Sequence, residues 1–196
     1  MRKLILVDVD GVLLNWIDSF SEWMDDSGYE VDDNHSHSYD IEDRYDMTKK
    51  EANSLIKTFN ESANIGFLNP YKDAKEYVDI LHRKHGYCFH AITAFGTDIN
   101  ARKLRTMNLH NLFGETAIQH IEFVGIRQSK MSALVRYANS NYFWIEDTLV
   151  HAISGAKLKL QPLLMNHPHN TDLTGSENYD IETITSWSDF YTRYIK

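Results

Sequence analysis

Cysteine is almost missing from this chain. Cys88 is the only one in 196 residues, which excludes an intrachain disulfide and points to a reducing, cytoplasmic setting. Its apolar strand surroundings mark it as a buried packing residue rather than a reactive thiol. Long apolar runs are missing too. Residues 4–7 and 143–145 fall far short of the roughly 20 residues needed to cross a bilayer, so no membrane span is expected. The sequence enters a predicted strand directly after Met1-Arg2-Lys3, and no signal peptide is expected. Positive charge is in deficit: 20 Lys and Arg against 28 Asp and Glu leave a formal net charge of −8. Gripping a polynucleotide through many phosphates takes a basic stripe. The nearest approach to one is Arg102, Lys103 and Arg105, which reads as a solvated helix face. The balance points to a small-molecule partner instead of a polynucleotide. Internal repeats and low-complexity tracts are also absent.

What is present is ordinary for a soluble globular protein, at 42% hydrophobic and 24% charged residues. The length suits one Rossmann-like core with a modest insertion, and not two full domains. Residues 3–10 form a short aliphatic run that ends in carboxylates, the pattern of a buried parallel strand with polar groups at its tip. Apolar spacing predicts a helix from Trp16 to about Gly28. Residues 25–46 are polar and read as a loop or hinge. Thr48 and Glu51 then form a capping box for a second helix that ends near Asn64. Pro70 opens a helix that Gly86 stops. Strands are expected at residues 87–93, 117–124, 142–146 and 158–165, with helices at 100–108, 129–139 and 186–194. This alternation implies an α/β fold with a Rossmann-like parallel sheet covered on both faces. Residues 16–66 break it and are expected to be a small helical cap, with residues 1–15 and 67–196 forming the core.

Asp8 and Asp10 stand two apart at a strand end, so both side chains point to one side of the strand. Gly11 then permits a tight turn. A second acidic pair, Glu146-Asp147, follows another apolar run. If the two strands are neighbours, four carboxylates converge on the carboxyl edge of the sheet, where open α/β folds bind ligands. Like charges so close are costly unless a cation lies among them, and an all-oxygen cluster suits Mg²⁺. Thr93 is expected to end the second strand, where its hydroxyl and the following N–H groups can hold phosphate oxygens. Lys130 begins a helix and can screen both a nucleophile and a transferring phosphoryl group.

In this order, Asp8-Val-Asp10-Gly11-Val12, Thr93, Lys130 and Glu146-Asp147 resemble the four motifs of haloacid dehalogenase superfamily phosphatases. The resemblance implies Asp8 as nucleophile and Asp10 as general acid and then general base. It implies Mg²⁺ bound by Asp8, the main-chain carbonyl of Asp10 and Asp147, with Glu146 one shell further out. The superfamily's dehalogenases lack an acid where Asp10 stands. A narrower similarity is to the 5′(3′)-deoxyribonucleotidases, carried by four runs: residues 8–16, 66–70, 121–127 before Lys130, and 163–170. It implies a phosphomonoester substrate, first of all a nucleoside monophosphate, and Trp16 as a residue able to stack on the base. The alternatives are another small phosphoester or a nucleic-acid 3′-phosphate as substrate, or a non-catalytic metal-binding or interaction protein on the same fold. Ala94 stands where that family usually has Ser, which removes a hydroxyl and keeps the N–H. Arg127 and Lys130 are one residue further apart than the family's pair. Without the resemblance, Trp16, Phe20 and Trp23 at helical spacing read as cap core. His35, His37, His167 and His169 read as loop histidines.

Overall fold

A computed structural model describes residues 3–36, 38, 40–126 and 128–196. Six parallel strands form one sheet in the order β3-β2-β1-β4-β5-β6. They are β1 (Lys3–Val7), β2 (Tyr87–Phe95), β3 (Ile118–Gly125), β4 (Phe143–Glu146), β5 (Gln161–Met165) and β6 (Glu182–Ile184). The central strand β1 is aliphatic from Leu4 to Val7 because both its faces are covered. Ile5 and Val7 sit in one hydrophobic cluster, and Leu6 sits in a second cluster on the opposite face with Ile92 and Trp144. This is the two-faced burial that parallel sheets require. Chain order reverses on either side of β1, between β2 and β4. Such a switch point opens a crevice at the carboxyl ends of the strands.

The connections are α1 (Trp16–Asp26), α2 (Ile41–Arg44), α3 (Lys49–Asn60), α4 (Ala74–His85), α5 (Ile99–Phe113), α6 (Met131–Leu134), α7 (Leu149–Lys157) and α8 (Trp187–Tyr194). The capping box of Thr48 and Glu51 starts α3. Gly86 closes α4 at φ +73°, a left-handed conformation that glycine adopts without steric cost.

Several boundaries differ from the sequence reading. The segment at Pro70 does not open α4, because it is used elsewhere: Leu14 bridges to Pro70, and the Tyr71 N–H donates to the Leu13 carbonyl at 2.8 Å. The polar stretch 25–46 contains the short α2, anchored by the buried Ile41 and Tyr45. The predicted helix 129–139 contracts to α6 and one 3₁₀ turn, Val135–Tyr137, and Asn139 is left-handed. Residues 158–160 precede β5 instead of belonging to it. Cys88 is half-buried in β2, less enclosed than its apolar neighbours implied.

Helices α1, α2 and α3, with a 3₁₀ turn at Ala63–Gly66, fill the interval between β1 and β2. Their interior is aromatic. Trp16 stacks on Phe20 at 4.7 Å, and the Phe59 ring meets Phe20 edge-on at 5.3 Å. Phe20, Met24 and Phe59 belong to the same continuous cluster as Val9 and Val12, so the insertion packs onto the turn that follows β1. Among the described residues, no helix is long and apolar enough to cross a membrane.

Candidate active site

The turn after β1 is held from several directions. The Asp8 N–H donates to the Ile145 carbonyl at 2.9 Å, which continues the β1–β4 pairing past the strand. Gly11 lies at φ +73°, and a Cβ there would meet Asp147 Oδ2 at 2.5 Å. Only glycine fits this left-handed position against a carboxylate. Three successive carbonyls of the turn accept from distant parts of the chain. Gly11 O takes His167 Nε2 at 2.8 Å, Val12 O takes the buried Trp187 indole N–H at 2.9 Å, and Leu13 O takes the Tyr71 N–H. The Gly11 carbonyl can only accept, so Nε2 carries a proton. Burial lowers the basicity of the ring and favours the neutral form, in which Nδ1 accepts from the Tyr71 hydroxyl at 3.3 Å. His167 therefore braces the turn, a role that its loop position did not reveal.

β1 and β4 are neighbours, and their tips bring Asp8, Glu146 and Asp147 together, each within 4.8 Å of the others. All three are buried. Lys130 is buried with them, and so is not the solvated lysine its place at a helix start allows. Its ammonium donates to Asp8 Oδ1 at 2.7 Å and to Glu146 Oε1 at 2.5 Å. The other Glu146 oxygen accepts the N–H groups of Asp147 and Thr148 at 2.7 and 2.6 Å. With both oxygens engaged, Glu146 orients Lys130 and the chain at Asp147. Asp147 accepts from the Thr148 hydroxyl at 3.0 Å, and Asn170 secures its carbonyl at 2.7 Å.

The electrostatics are unbalanced. If all are ionised, three carboxylates and one ammonium leave two negative charges in a buried site. Burial pushes the carboxyls of Asp8 and Asp147 up to about 7, helped by the charge of Glu146 on Asp8 and of Asp8 on Asp147. Burial lifts Glu146 as well, to about 7, against the pull of Lys130 and the Thr148 amide. Lys130 itself stays charged, because the attraction of Asp8 and Glu146 outweighs its own desolvation. A divalent cation with oxygen preference matches both the residual charge and the donor set, so the residues present fit Mg²⁺.

Asp10 departs from the expected four-carboxylate cluster. Its carboxylate is taken by Arg105 of α5, whose two terminal nitrogens reach the two oxygens at 2.7 and 3.2 Å. Arg105 is wholly buried, so the reading of Arg102, Lys103 and Arg105 as one solvated face fails at this residue. A signal for it was available. Arg105 shares a helical stripe with Ala101, Asn108 and Leu109, all buried, four before and three and four after it.

Thr93 is buried inside β2, which runs on to Phe95, so it does not end the strand. It lies two residues past Ala91, the partner of Val7, and thus beside the turn that carries Asp8 and Asp10. Ala94 next to it is half-buried. Trp16 is the first residue of α1, directly after the capping Asn15. One indole face is stacked on Phe20, and its N–H donates to Asn60 Oδ1 at 2.8 Å. This is the set of contacts expected of a core residue in the insertion. His169 Nε2 lies 4.0 Å from Asp147 Oδ2. His35 pairs with Asp32 at the surface, and His37 and Arg127 lie outside the described residues.

No family model matches the chain. A curated relative, an uncharacterised 32.4 kDa protein from the Gp30–rIII intergenic region of Enterobacteria phage T4, is 32% identical over 120 residues. That match covers 58% of this chain and 42% of the phage protein, so the chain spans less than half of its relative's length. Solved structures align over nearly the whole chain. A haloacid dehalogenase-like family hydrolase from Streptococcus pneumoniae aligns over 97% of both chains with a TM-score of 0.65 and 15% identity. A hydrolase of the same superfamily from Deinococcus radiodurans, solved with bound phosphate and sodium, aligns over 97% of this chain and 93% of its own. Its TM-score is 0.63 at 19% identity. An L-2-haloacid dehalogenase aligns over 98% of both chains, with a TM-score of 0.62 and 14% identity. The chain has the haloacid dehalogenase-like fold.

Proposed function

We propose that this chain is a Mg²⁺-dependent phosphomonoesterase that works through a phosphoaspartate on Asp8. The observation that carries the reading is Asp8 Oδ1 held at 2.7 Å by the buried Lys130 ammonium, with a second acid two residues downstream. Asp8 attacks phosphorus, and the bond from phosphorus to the leaving alcohol breaks as the new acyl phosphate bond forms. Asp10 gives a proton to the leaving oxygen. It then takes one from the water that attacks the phosphoaspartate, which frees inorganic phosphate and restores Asp8. Lys130 offsets charge on the transferring group, and Thr93 and the Ala94 N–H hold its oxygens. Asp8, Asp147 and the main-chain carbonyl of Asp10 would hold Mg²⁺, which would supply further charge neutralisation at the phosphoryl group. Residues 16–66 would act as the cap and residues 1–15 with 67–196 as the catalytic core, in a cytoplasmic enzyme.

The nucleoside monophosphate remains the proposed substrate class because of the sequence runs described above. Trp16 lends it less support now that one face and the N–H of its indole are engaged. A dehalogenase reading is disfavoured by Asp10, since the superfamily's dehalogenases lack an acid at this position.

The test is phosphate release from p-nitrophenyl phosphate, an alkyl phosphate and a panel of nucleoside monophosphates, with Mg²⁺ and with EDTA. Wild type should turn over these esters only with Mg²⁺, and Asp8→Asn should not. Halide release from a 2-haloacid without phosphate release, or full turnover by Asp8→Asn, would overturn the proposal.

A further inference from the structure

We infer that Arg105 is a positioning residue, a buried two-point clamp that fixes the carboxylate of Asp10 for proton transfer. The inference rests on the phosphomonoesterase reading and adds a component that the four motifs do not contain.

The clamp is built on three sides. Arg105 has no exposed surface, so its charge has no solvent to stabilise it and requires a partner inside the protein. The partner is Asp10, gripped by a fork of two nitrogens on two oxygens, a geometry that fixes the plane of the carboxylate as well as its position. The guanidinium also lies over the Phe95 ring, 5.0 Å from its centroid, and Phe95 is buried at the end of β2. One turn further along α5, the buried Asn108 donates to the Leu68 carbonyl at 3.1 Å and ties the helix to the segment returning from the insertion. Arg105 therefore has little freedom to move.

Asp10, by contrast, keeps 33% of its side chain exposed. A carboxylate has about four acceptor positions. The fork takes two, and on the open side one of the others can carry the proton that goes to the leaving-group oxygen and then accept from the attacking water. A surface ion pair would contribute little and wander; a buried fork against a half-open carboxylate sets direction. Lysine cannot reproduce this, because its ammonium is a point donor with no plane.

The experiment compares wild type, Arg105→Lys, Asp10→Asn and the double variant on an alkyl phosphate and on p-nitrophenyl phosphate, whose leaving group needs little protonation. Arg105→Lys should lower kcat on the alkyl ester by about 10- to 100-fold with KM nearly unchanged, the size of effect expected from misplacing a proton-transfer group. The loss should be clearly smaller on p-nitrophenyl phosphate. In the Asp10→Asn background, the same change should add almost nothing. Phe95→Leu, which removes the ring under the guanidinium and keeps the ion pair, should give the same pattern more weakly and covers the case in which Arg105→Lys does not fold. Equal losses on both esters, or effects of Arg105→Lys and Asp10→Asn that simply multiply, would overturn the clamp and leave an ordinary structural ion pair. A wild-type chain inactive on both esters would overturn the phosphomonoesterase reading itself and the clamp with it.

Discussion

The cluster around Asp8 and the ion pair around Asp10 lie two residues apart in one turn, yet their charge is balanced in opposite ways. Asp8 is buried with Glu146 and Asp147, and the single ammonium of Lys130 leaves the group short of positive charge. Asp10 has a whole guanidinium to itself and is part exposed. The first arrangement stores repulsion that a cation would relieve, while the second is complete without one. The difference separates the two jobs of the proposed reaction. A nucleophile that must work beside Mg²⁺ is left unsatisfied, and a proton-transfer group that must not bind the metal through its carboxylate is held by another partner.

Substitutions at the two positions should therefore differ in sign as well as size. Asp8→Asn should abolish turnover, by about 10⁴-fold or more as for other covalent nucleophiles, and should leave the metal-free fold as stable as wild type or more so. Asp10→Asn should lower the rate by about 10²- to 10⁴-fold. It should also destabilise the fold by about 2 kcal/mol, between the ranges for exposed and buried pairs, because Arg105 loses its charged partner. Thermal melts in EDTA beside kcat for both variants decide the matter. Equal melting shifts for the two would erase the contrast.

A third effect is smaller and is read without turnover. The Asp8 and Asp147 carboxyls sit at about 7 in the folded protein, raised from 3.8 chiefly by burial and further by neighbouring carboxylates, Glu146 for Asp8 and Asp8 for Asp147. The folded state thus binds these protons more tightly than the unfolded chain. Their contribution to stability is fully present below about pH 4 and is lost as pH rises through 7. Melting temperature in EDTA should fall from pH 5 to pH 8, and Mg²⁺ should remove most of that fall. A melting curve indifferent to pH in EDTA would show that the cluster carries no such strain.

The mildest perturbation lies outside both sites. Trp16→Ala should cost about 2 kcal/mol, less than for a fully buried tryptophan, because the indole is only half-buried on Phe20. Its kcat/KM on a nucleoside monophosphate and on p-nitrophenyl phosphate should move together. A loss confined to the nucleotide would return Trp16 to the substrate.

The carboxylates of the cluster were legible before the structure because they end or follow apolar strands, where a carboxylate has few other reasons to stand. The alternation of elements carried the sheet in the same way. The Asp10 side was hidden. Arg102, Lys103 and Arg105 look alike in a row, and only the stripe of Ala101, Asn108 and Leu109 separates the buried arginine from its neighbours. α7 was missed because Ser154 and Gly155 blur its periodicity, although both face inward and Gly155 admits the Trp144 ring. β6 is three residues long, and α2 sits in a polar run with Ile41 as its one buried residue. Short elements of this kind take their stability from what they pack against, and that contact lies outside the local sequence.

The most direct measurement is of the covalent step. Wild type quenched in acid during turnover of p-nitrophenyl phosphate with Mg²⁺, then digested and mapped by mass spectrometry, should carry the mass of one phosphoryl group on the peptide containing Asp8. The same treatment of Asp8→Asn should yield none. Steady phosphate release with no phosphorylated peptide, or with the phosphoryl group on another residue, would contradict Asp8 as the nucleophile.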